Sequence, residues 1–236
     1  MKKILLVALV VSSCAPVYVP NIRNTPMFTK GGEFQLTGQV GNGIDGQMAV
    51  SVTDHIGVMA NYSYINRNTA NVSDDEDFIK HKFFEGGLGY FGQDENTFWE
   101  VFAGYGKGEG FSSGNFFGVE NANGKYERYF IQPAVGMNKK EIQFAFVPRV
   151  SIVDFTEYTL GSNTIAVNED PKVFFEPGFV TRVNTAGNHF YFTFQAGMSI
   201  SLNEDVYFDH RRFQFGTGIG LRLGGLKPET RADKSR

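Results

Sequence analysis

The chain has few of the residues that would cross-link it, bind it to nucleic acid or carry it through a membrane as a helix. Of its 236 residues one is a cysteine, Cys14, so an internal disulfide is excluded. The formal net charge is −3 and no basic tract occurs, which argues against a nucleic-acid partner. After Cys14 no apolar run approaches the roughly 18 residues that a membrane-spanning helix needs. Any part of this chain that crosses a membrane must therefore use strands.

Catalytic and metal-binding signatures are also scarce. The four histidines, His55, His81, His189 and His210, form no His-x-x-x-His or His-x-Ser spacing. The signatures of a zinc site and of outer-membrane lipid A deacylases are therefore absent. We predict a protein that is not an enzyme and has no cofactor and no metal site.

The first fourteen residues have the three parts of a secretory signal. Lys2 and Lys3 precede a short apolar run, residues 4–11, which is followed by Ser12, Ser13 and Cys14. The end of this segment resembles the lipobox of bacterial lipoproteins. The resemblance implies cleavage after residues 1–13 and lipidation of Cys14; an ordinary signal peptide is the alternative. Three prolines exclude a regular helix in the next stretch, so we predict that residues 14–32 form an extended, lipidated tether.

From Glu33 onward, apolar and polar residues alternate with the period of a β-strand. The clearest run is 190–202, where Phe190, Phe192 and Phe194 fall on one face and Tyr191, Thr193 and Gln195 on the other. The pattern predicts about ten strands, with eight as the alternative count. They are 33–41, 44–53, 56–67, 78–91, 97–106, 125–138, 141–153, 173–184, 189–202 and 211–223.

The predicted connections are alternately short and long. Tight turns at 53–55, 92–96, 138–140 and 185–188 alternate with longer polar loops at 68–77, 107–124, 154–172 and 203–210. This asymmetry is typical of an outer-membrane barrel, with short periplasmic turns and longer outer loops. We predict an all-β, antiparallel, up-and-down transmembrane β-barrel over residues 33–224. A polar tail, 225–236, would follow it, with both termini on the periplasmic side.

The residues on the polar face of the strands indicate which face of the sheet lines the barrel interior. It carries both signs of charge sparsely, as in a closed interior, while the other face is rich in Phe and Tyr. The rival is a soluble, lipocalin-like barrel on a lipid anchor, with its apolar face inward. Pro148 and Pro177 would face lipid and must lie at positions where the strand ladder needs no N–H donor, for instance at a bulge. The predicted lumen charge network is Glu33, Asp45, Glu85, Glu100, Arg128, Arg149, Glu176, Arg182 and Arg222.

With these features the chain resembles small, lipidated outer-membrane β-barrel proteins of bacteria. The resemblance implies an outer-membrane location with an anchor on Cys14. One departure is the polar tail, because many members end on an aromatic residue that is read during insertion. We expect a structural or accessory role, with outer-membrane lipids and another outer-membrane protein complex as partners, and an interior filled by side chains. A small-solute pore is the alternative.

Two sets of residues near the predicted outer rim remain candidates for binding or catalysis. Basic residues at the loop-side strand ends could contact lipopolysaccharide phosphates, with rim charges that bind no ligand as the alternative. These are Lys80, Lys82, Lys125, Arg211 and Arg212. The dipeptide Asp209-His210 and the acidic loop residues Asp74, Asp75 and Asp77 resemble the Asp and His rim of omptin-type proteases. This makes a rim hydrolase the third hypothesis for function, behind solvated loop charges.

Overall fold

The computed structural model describes residues 16–70, 76–94, 96–113, 121–161, 163–165, 170–185, 187 and 189–224. Within these residues the regular structure is β-strand throughout, in fourteen segments. They are β1 (Phe34–Gly41), β2 (Ile44–Ser51), β3 (Ile56–Ala70), β4 (Glu76–Asp94), β5 (Thr97–Ser113), β6 (Ala122–Asn138), β7 (Ile142–Phe146), β8 (Arg149–Leu160), β9 (Asn163–Ile165), β10 (Lys172–Glu176), β11 (Gly178–Asn184), β12 (Phe190–Met198), β13 (Ile200–Ser201) and β14 (Phe213–Leu223). Among the described residues, no helix is long and apolar enough to cross a membrane.

The strands form a closed, antiparallel barrel with ten positions around its wall. Each strand from β1 to β6 pairs with the next along the chain, and β14 closes the ring by pairing with β1. Three of the ten positions are filled by two segments in line, namely β7 with β8, β10 with β11, and β12 with β13. The short β9 lies outside the ring and pairs with β8 alone. The prediction of an all-β barrel with about ten strands is confirmed.

The three interrupted positions are adjacent, and their interruptions lie at the same height. They fall at Val147–Pro148, at Pro177 and at Ser199. Proline cannot donate to a strand ladder, so it is tolerated where the ladder is already broken. Val147 and Gly178 keep their own main-chain bonds across this level, 2.8 and 3.1 Å long. The two prolines thus lie where their missing N–H groups leave no gap in a continuous strand.

The wall is much taller on one side than on the other. Strands β3 to β6 are 15 to 19 residues long, whereas β1 and β2 have 8 residues each. The predicted loops 68–77, 107–124 and 154–172 are therefore too long, because β4, β5 and β8 continue into them. Glycine at every second position of β5 kept this stretch from looking like strand, since glycine has low strand propensity. We call the end with the β3–β4, β5–β6, β8–β10 and β13–β14 connections the long-loop end, and the opposite end the tight-turn end.

The two faces of the wall differ sharply in polarity. Large apolar side chains point outward and are exposed, among them Ile219 at 64%, Leu88 at 60% and Phe194 at 52%. Polar side chains of the same strands point inward and are buried, such as Gln35, Asn61 and Thr193. A water-soluble barrel would have the reverse distribution, because burial of apolar surface drives folding in water.

Residues 16–28, which the sequence predicts to be part of an extended tether, lie inside the barrel. All thirteen positions are buried, including Arg23, Asn24 and Phe28. The segment runs from Val17 at the long-loop end to Thr29 at the tight-turn end, where Gly31 donates to Asp54. We call residues 16–28 the plug. The first described residues of the chain lie at the long-loop end, whereas the sequence predicts both termini at the tight-turn end.

Candidate functional site

The upper end of the plug is fixed in an aromatic cluster at the long-loop end. The amides of Val17 and Tyr18 donate to the carbonyl of Asp209, over 3.0 and 3.2 Å, and the carbonyl of Tyr18 accepts from Arg211. Val17 lies so close to Gly110 that a Cβ on Gly110 would be 2.2 Å from the carbonyl oxygen of Val17. Buried apolar side chains from four strands and from the β13–β14 connection surround these two residues. They are Phe83, Ala122, Tyr126, Val153, Phe155, Tyr158, Phe174 and Phe208.

Two buried ion pairs of the wall meet the plug at Asn21. Glu85 pairs with Arg128, and Arg149 pairs with Glu176 over 2.6 Å. The Asn21 amide donates to Glu85 over 2.7 Å, and its side-chain oxygen accepts from Arg128 (2.6 Å) and Arg149 (3.1 Å). Charges removed from water need such partners, because the desolvation penalty otherwise exceeds the Coulombic gain. Asn21 therefore joins two separate ion pairs into one network.

Glu176 is the most heavily bonded carboxylate of this network. Besides Arg149 it accepts from the hydroxyls of Tyr18 (2.9 Å), Ser151 (3.0 Å) and Ser199 (3.2 Å). Its partners come from the plug and from the two wall positions on either side of its own strand, β10. A carboxylate that accepts several such bonds is held in its charged form.

Arg23 of the plug occupies the level at which the three wall positions are interrupted. Its guanidinium donates to the carbonyl of Glu176 over 2.7 and 3.2 Å and to that of Pro177 over 3.1 Å. It lies against Gly178 and Gly197, where a Cβ would come within 2.7 and 2.4 Å of the guanidinium. These glycines leave the space for Arg23, and the guanidinium supplies donors to the main chain at the break.

The lower part of the plug is bound mainly through its own main chain. Arg182 donates to the carbonyl of Thr25 over 2.7 Å and to that of Pro26 over 2.8 Å, and Gln35 also donates to Pro26. The amide of Met27 donates to Glu100 over 3.0 Å. Below this level Phe28 packs into a second apolar cluster, with its ring centroid 5.2 Å from that of Phe91.

The plug forms hydrogen bonds with all ten positions of the wall. Partners between the two ends are side chains that project inward from each strand in turn. They are Gln35, Gln47, Asn61, Glu85, Glu100, Arg128, Gln132, Arg149, Glu176, Arg182, Gln195 and Gln214. The interior is thus organised around a central strand of chain and not around side chains of the wall alone.

Every member of the predicted lumen charge network is buried, and the structure brings most of them into contact. Besides the two ion pairs above, Arg222 lies 4.0 Å from Glu33, and Asp45 interacts with Ser63 and the main chain of Ile22. Sequence reasoning missed the residues that the plug adds, above all Asn21 and Arg23. A signal was present: the predicted inward face has five carboxylates against four arginines, and Arg23 supplies a fifth.

Of the basic residues predicted to contact lipopolysaccharide, Lys80, Lys82 and Lys125 lie exposed on the outer face near the long-loop end, and two of these are already paired. Lys82 is 3.1 Å from Glu109, and Lys125 is 2.8 Å from Glu157. Lys82, Glu109, Lys125 and Glu157 are successive cross-strand partners, which we call the charged ladder. Lys80 lies over the Phe78 ring at 4.7 Å, Arg211 is half-buried and Arg212 is exposed. The paired glutamates reduce the attraction of the ladder for phosphate, so contact with lipopolysaccharide stays a prediction.

The rim dipeptide Asp209-His210 has a packing role. The Asp209 carbonyl holds the plug, and the His210 ring packs edge-on against Phe174 with centroids 4.9 Å apart. Burial and the neighbouring Arg212 lower the pKa of His210 below its usual range. The predicted lipidation site Cys14, the tail from 225 and the acidic residues Asp74 and Asp75 lie outside the described residues. Within the part of the chain that is described, no group of three His, Cys, Asp or Glu side chains is placed to hold a metal ion.

No protein-family model and no curated protein matches this chain. The class that the fold itself defines is an antiparallel, ten-position β-barrel with an apolar exterior and an occupied lumen.

Proposed function

We propose that this protein is an integral β-barrel of a bacterial outer membrane, closed to solutes, with a structural or accessory role. The observation that carries the proposal is the inverted polarity of the wall. Exposed Leu, Ile, Val and Phe side chains cover the outside, while arginines and carboxylates are fully buried. Hydrocarbon is the environment in which this distribution is favourable, because lipid accepts apolar side chains and excludes charged ones.

The height of the apolar surface and its borders support the same proposal. On the outer face of β5, Trp99 packs against Tyr90 near the tight-turn end, and the first charged side chain of this face is Lys107, eight residues later and paired with Glu127. Eight residues of strand span roughly 26 Å, or about 20 Å vertically at the ~40° tilt usual in such barrels. Tyr105 and Tyr129, with ring centroids 5.0 Å apart, lie just below this ion pair. Aromatic belts at both borders of a band about 25 Å tall are typical of outer-membrane barrels.

The occupied lumen favours a closed barrel over the alternative of a pore. The plug is hydrogen-bonded to the whole wall, and both of its ends are packed in apolar clusters. A ten-strand barrel has a narrow interior in any case. We therefore expect the purified protein to leave the conductance of planar bilayers unchanged. Stable, stepwise conductance of the intact protein would contradict the closed lumen.

Arginine substitutions at two heights of one strand test the membrane location. Val58 and Asn66 both point outward from β3, but Val58 lies within the apolar band and Asn66 lies level with Lys80, its cross-strand partner. We expect Val58→Arg to destabilise the membrane-inserted barrel by about 2–4 kcal/mol. Asn66→Arg, the matched control, should assemble like the parent protein. The measurement is the fraction of folded barrel in outer membranes, from heat-modifiable gel mobility.

The opposite result is equally informative. If both variants fold fully and the protein is recovered free of membranes, the wall does not face lipid. The soluble-barrel alternative would then be favoured, and the exposed apolar surface would need a protein partner.

A further inference from the structure

The direction of the plug assigns the two ends of the chain to opposite ends of the barrel. Leu223, the last residue of β14, pairs with Phe34 at the tight-turn end, and Gly224 lies against Gly32 there. Tyr18, by contrast, forms a parallel bridge with His210 at the long-loop end. The twelve residues from Val17 to Phe28 are separated by eleven Cα–Cα steps, which span up to about 36–40 Å in an extended chain. That length is enough to cross the hydrocarbon core of a bilayer, which is about 30 Å thick.

We propose that the plug carries the amino-terminal end of the chain through its own barrel to the cell surface. A lipid on Cys14 would then be anchored in the outer leaflet, on the opposite side of the membrane from the carboxyl-terminal end. This inference rests on the proposed outer-membrane function, in which the long loops face outward. It reverses the expectation from the sequence, which placed both termini on the periplasmic side.

Chain length makes the alternative placement difficult. Val17 is held at the long-loop end by its bond to Asp209 and by the close passage of Gly110. Three peptide units separate Cys14 from Val17, and they reach at most about 11 Å. An acyl chain on Cys14 therefore cannot enter the leaflet at the tight-turn end without withdrawal of the plug. Withdrawal would leave the partners of Asn21 and Arg23 without hydrogen bonds inside the lumen. It would also break the hydrogen bonds between the plug and all ten wall positions.

The seal at the upper end fits a permanent crossing rather than a transient one. Tyr18 packs against Tyr126, Phe174 and Phe208, with ring centroids 5.4, 5.0 and 6.4 Å away. Its hydroxyl reaches down to Glu176 at the same time. Tyr18 thus connects the aromatic cluster at the long-loop end to the buried charge network. The plug is therefore held on both sides of the point where it leaves the lumen.

Accessibility of three sites on intact cells tests the proposal. One variant carries an epitope tag and a specific protease site between Ala15 and Pro16, before the plug begins. A second carries the tag after Gly161, in the turn that joins β8 and β9, and a third carries it after Arg236. Heat-modifiable mobility shows for each variant that the barrel is folded. We expect antibody to reach the first two tags on intact cells, and the third only after the outer membrane is opened. The protease should remove the lipid-bearing end of the first variant on intact cells, seen as loss of a fatty-acid label.

Each other outcome overturns a different statement. If the Gly161 tag is reached on intact cells but the amino-terminal tag requires opening, the plug does not cross and the proposed function stands. If the first two tags require opening while the carboxyl-terminal tag does not, the barrel is inverted and the outer-leaflet anchor is wrong. If the protein is absent from membranes altogether, the proposed function itself fails.

Discussion

The two halves of the lumen hold the plug by different chemistry. In the upper half, side chains of Tyr18, Asn21 and Arg23 form hydrogen bonds with charged groups and with main-chain carbonyls where the wall strands are interrupted. In the lower half, Arg182 and Glu100 of the wall bond to main-chain atoms of residues 25–27. A carbonyl or amide is supplied by almost any residue, whereas a guanidinium or a carboxamide is not. The upper half should therefore be strict about plug sequence and the lower half tolerant.

The largest expected effect comes from removing one carboxylate of the upper half. Glu176→Gln leaves Arg149 buried without its counter-charge and weakens three hydroxyl bonds. Breaking a buried pair in this way costs about 3–5 kcal/mol. Equilibrium unfolding by guanidinium chloride in the presence of lipid vesicles would measure it.

The same substitution in the lower half is the matched control. Glu100 accepts from the main chain of Met27 and of Phe28, and its oxygen Oε1 has no hydrogen-bond partner among the described residues. Glu100→Gln keeps an acceptor for Met27, so we expect a change below about 1 kcal/mol. Equal losses from both variants would show that the two halves do not differ.

A smaller effect is expected from the plug itself. Arg23→Met removes the donors to the carbonyls of Glu176 and Pro177, and only the Pro177 carbonyl keeps a second partner, the amide of Met198. Hydrogen bonds to a charged group contribute about 1.5–3 kcal/mol, so we expect a loss of about 2–3 kcal/mol in the same unfolding measurement. Lys30→Met, just below the plug, is the control: the contacts of Lys30 are through its main chain, and its stability should match the parent. A silent Arg23→Met would mean that the break in the wall needs no donor.

The smallest effect is expected at Thr25. Its carbonyl binds Arg182, but its buried hydroxyl has no hydrogen-bond partner in the described part of the chain. Thr25→Val keeps the shape and the carbonyl and removes the unsatisfied hydroxyl, so the free energy of unfolding should change by less than about 0.5 kcal/mol or increase. If Thr25→Val is clearly destabilised while the reference variant Val58→Ala is as stable as the parent, the Thr25 hydroxyl has a hydrogen-bond partner outside the described residues. The lower half of the lumen would then depend on plug sequence as much as the upper half.

The alternation of apolar and polar residues was sufficient to predict the wall. The ten wall positions between Phe34 and Leu223 were found, although β5 and β8 each continue seven residues beyond their predicted ends and β9 was missed. The nine charged residues assigned to the interior are all buried. A period of two is a local property of the chain, so it can be read from neighbours in sequence. The same local rule missed the upper part of β5, where repeated glycines remove the side chains that carry the pattern.

What the sequence determined by itself is the barrel and the polarity of its two faces; what only the tertiary structure decided is the content of the lumen. Residues 16–28 contain three prolines and no alternation, which excludes a helix and a regular strand but names no location. Their burial depends on bonds to residues far along the chain, such as Tyr18 to Glu176 and Arg23 to Gln214. Contacts between distant residues form only when the wall closes around them, so no local sequence pattern predicts them. The direction in which the chain enters its own barrel depends on these contacts and could not be predicted either.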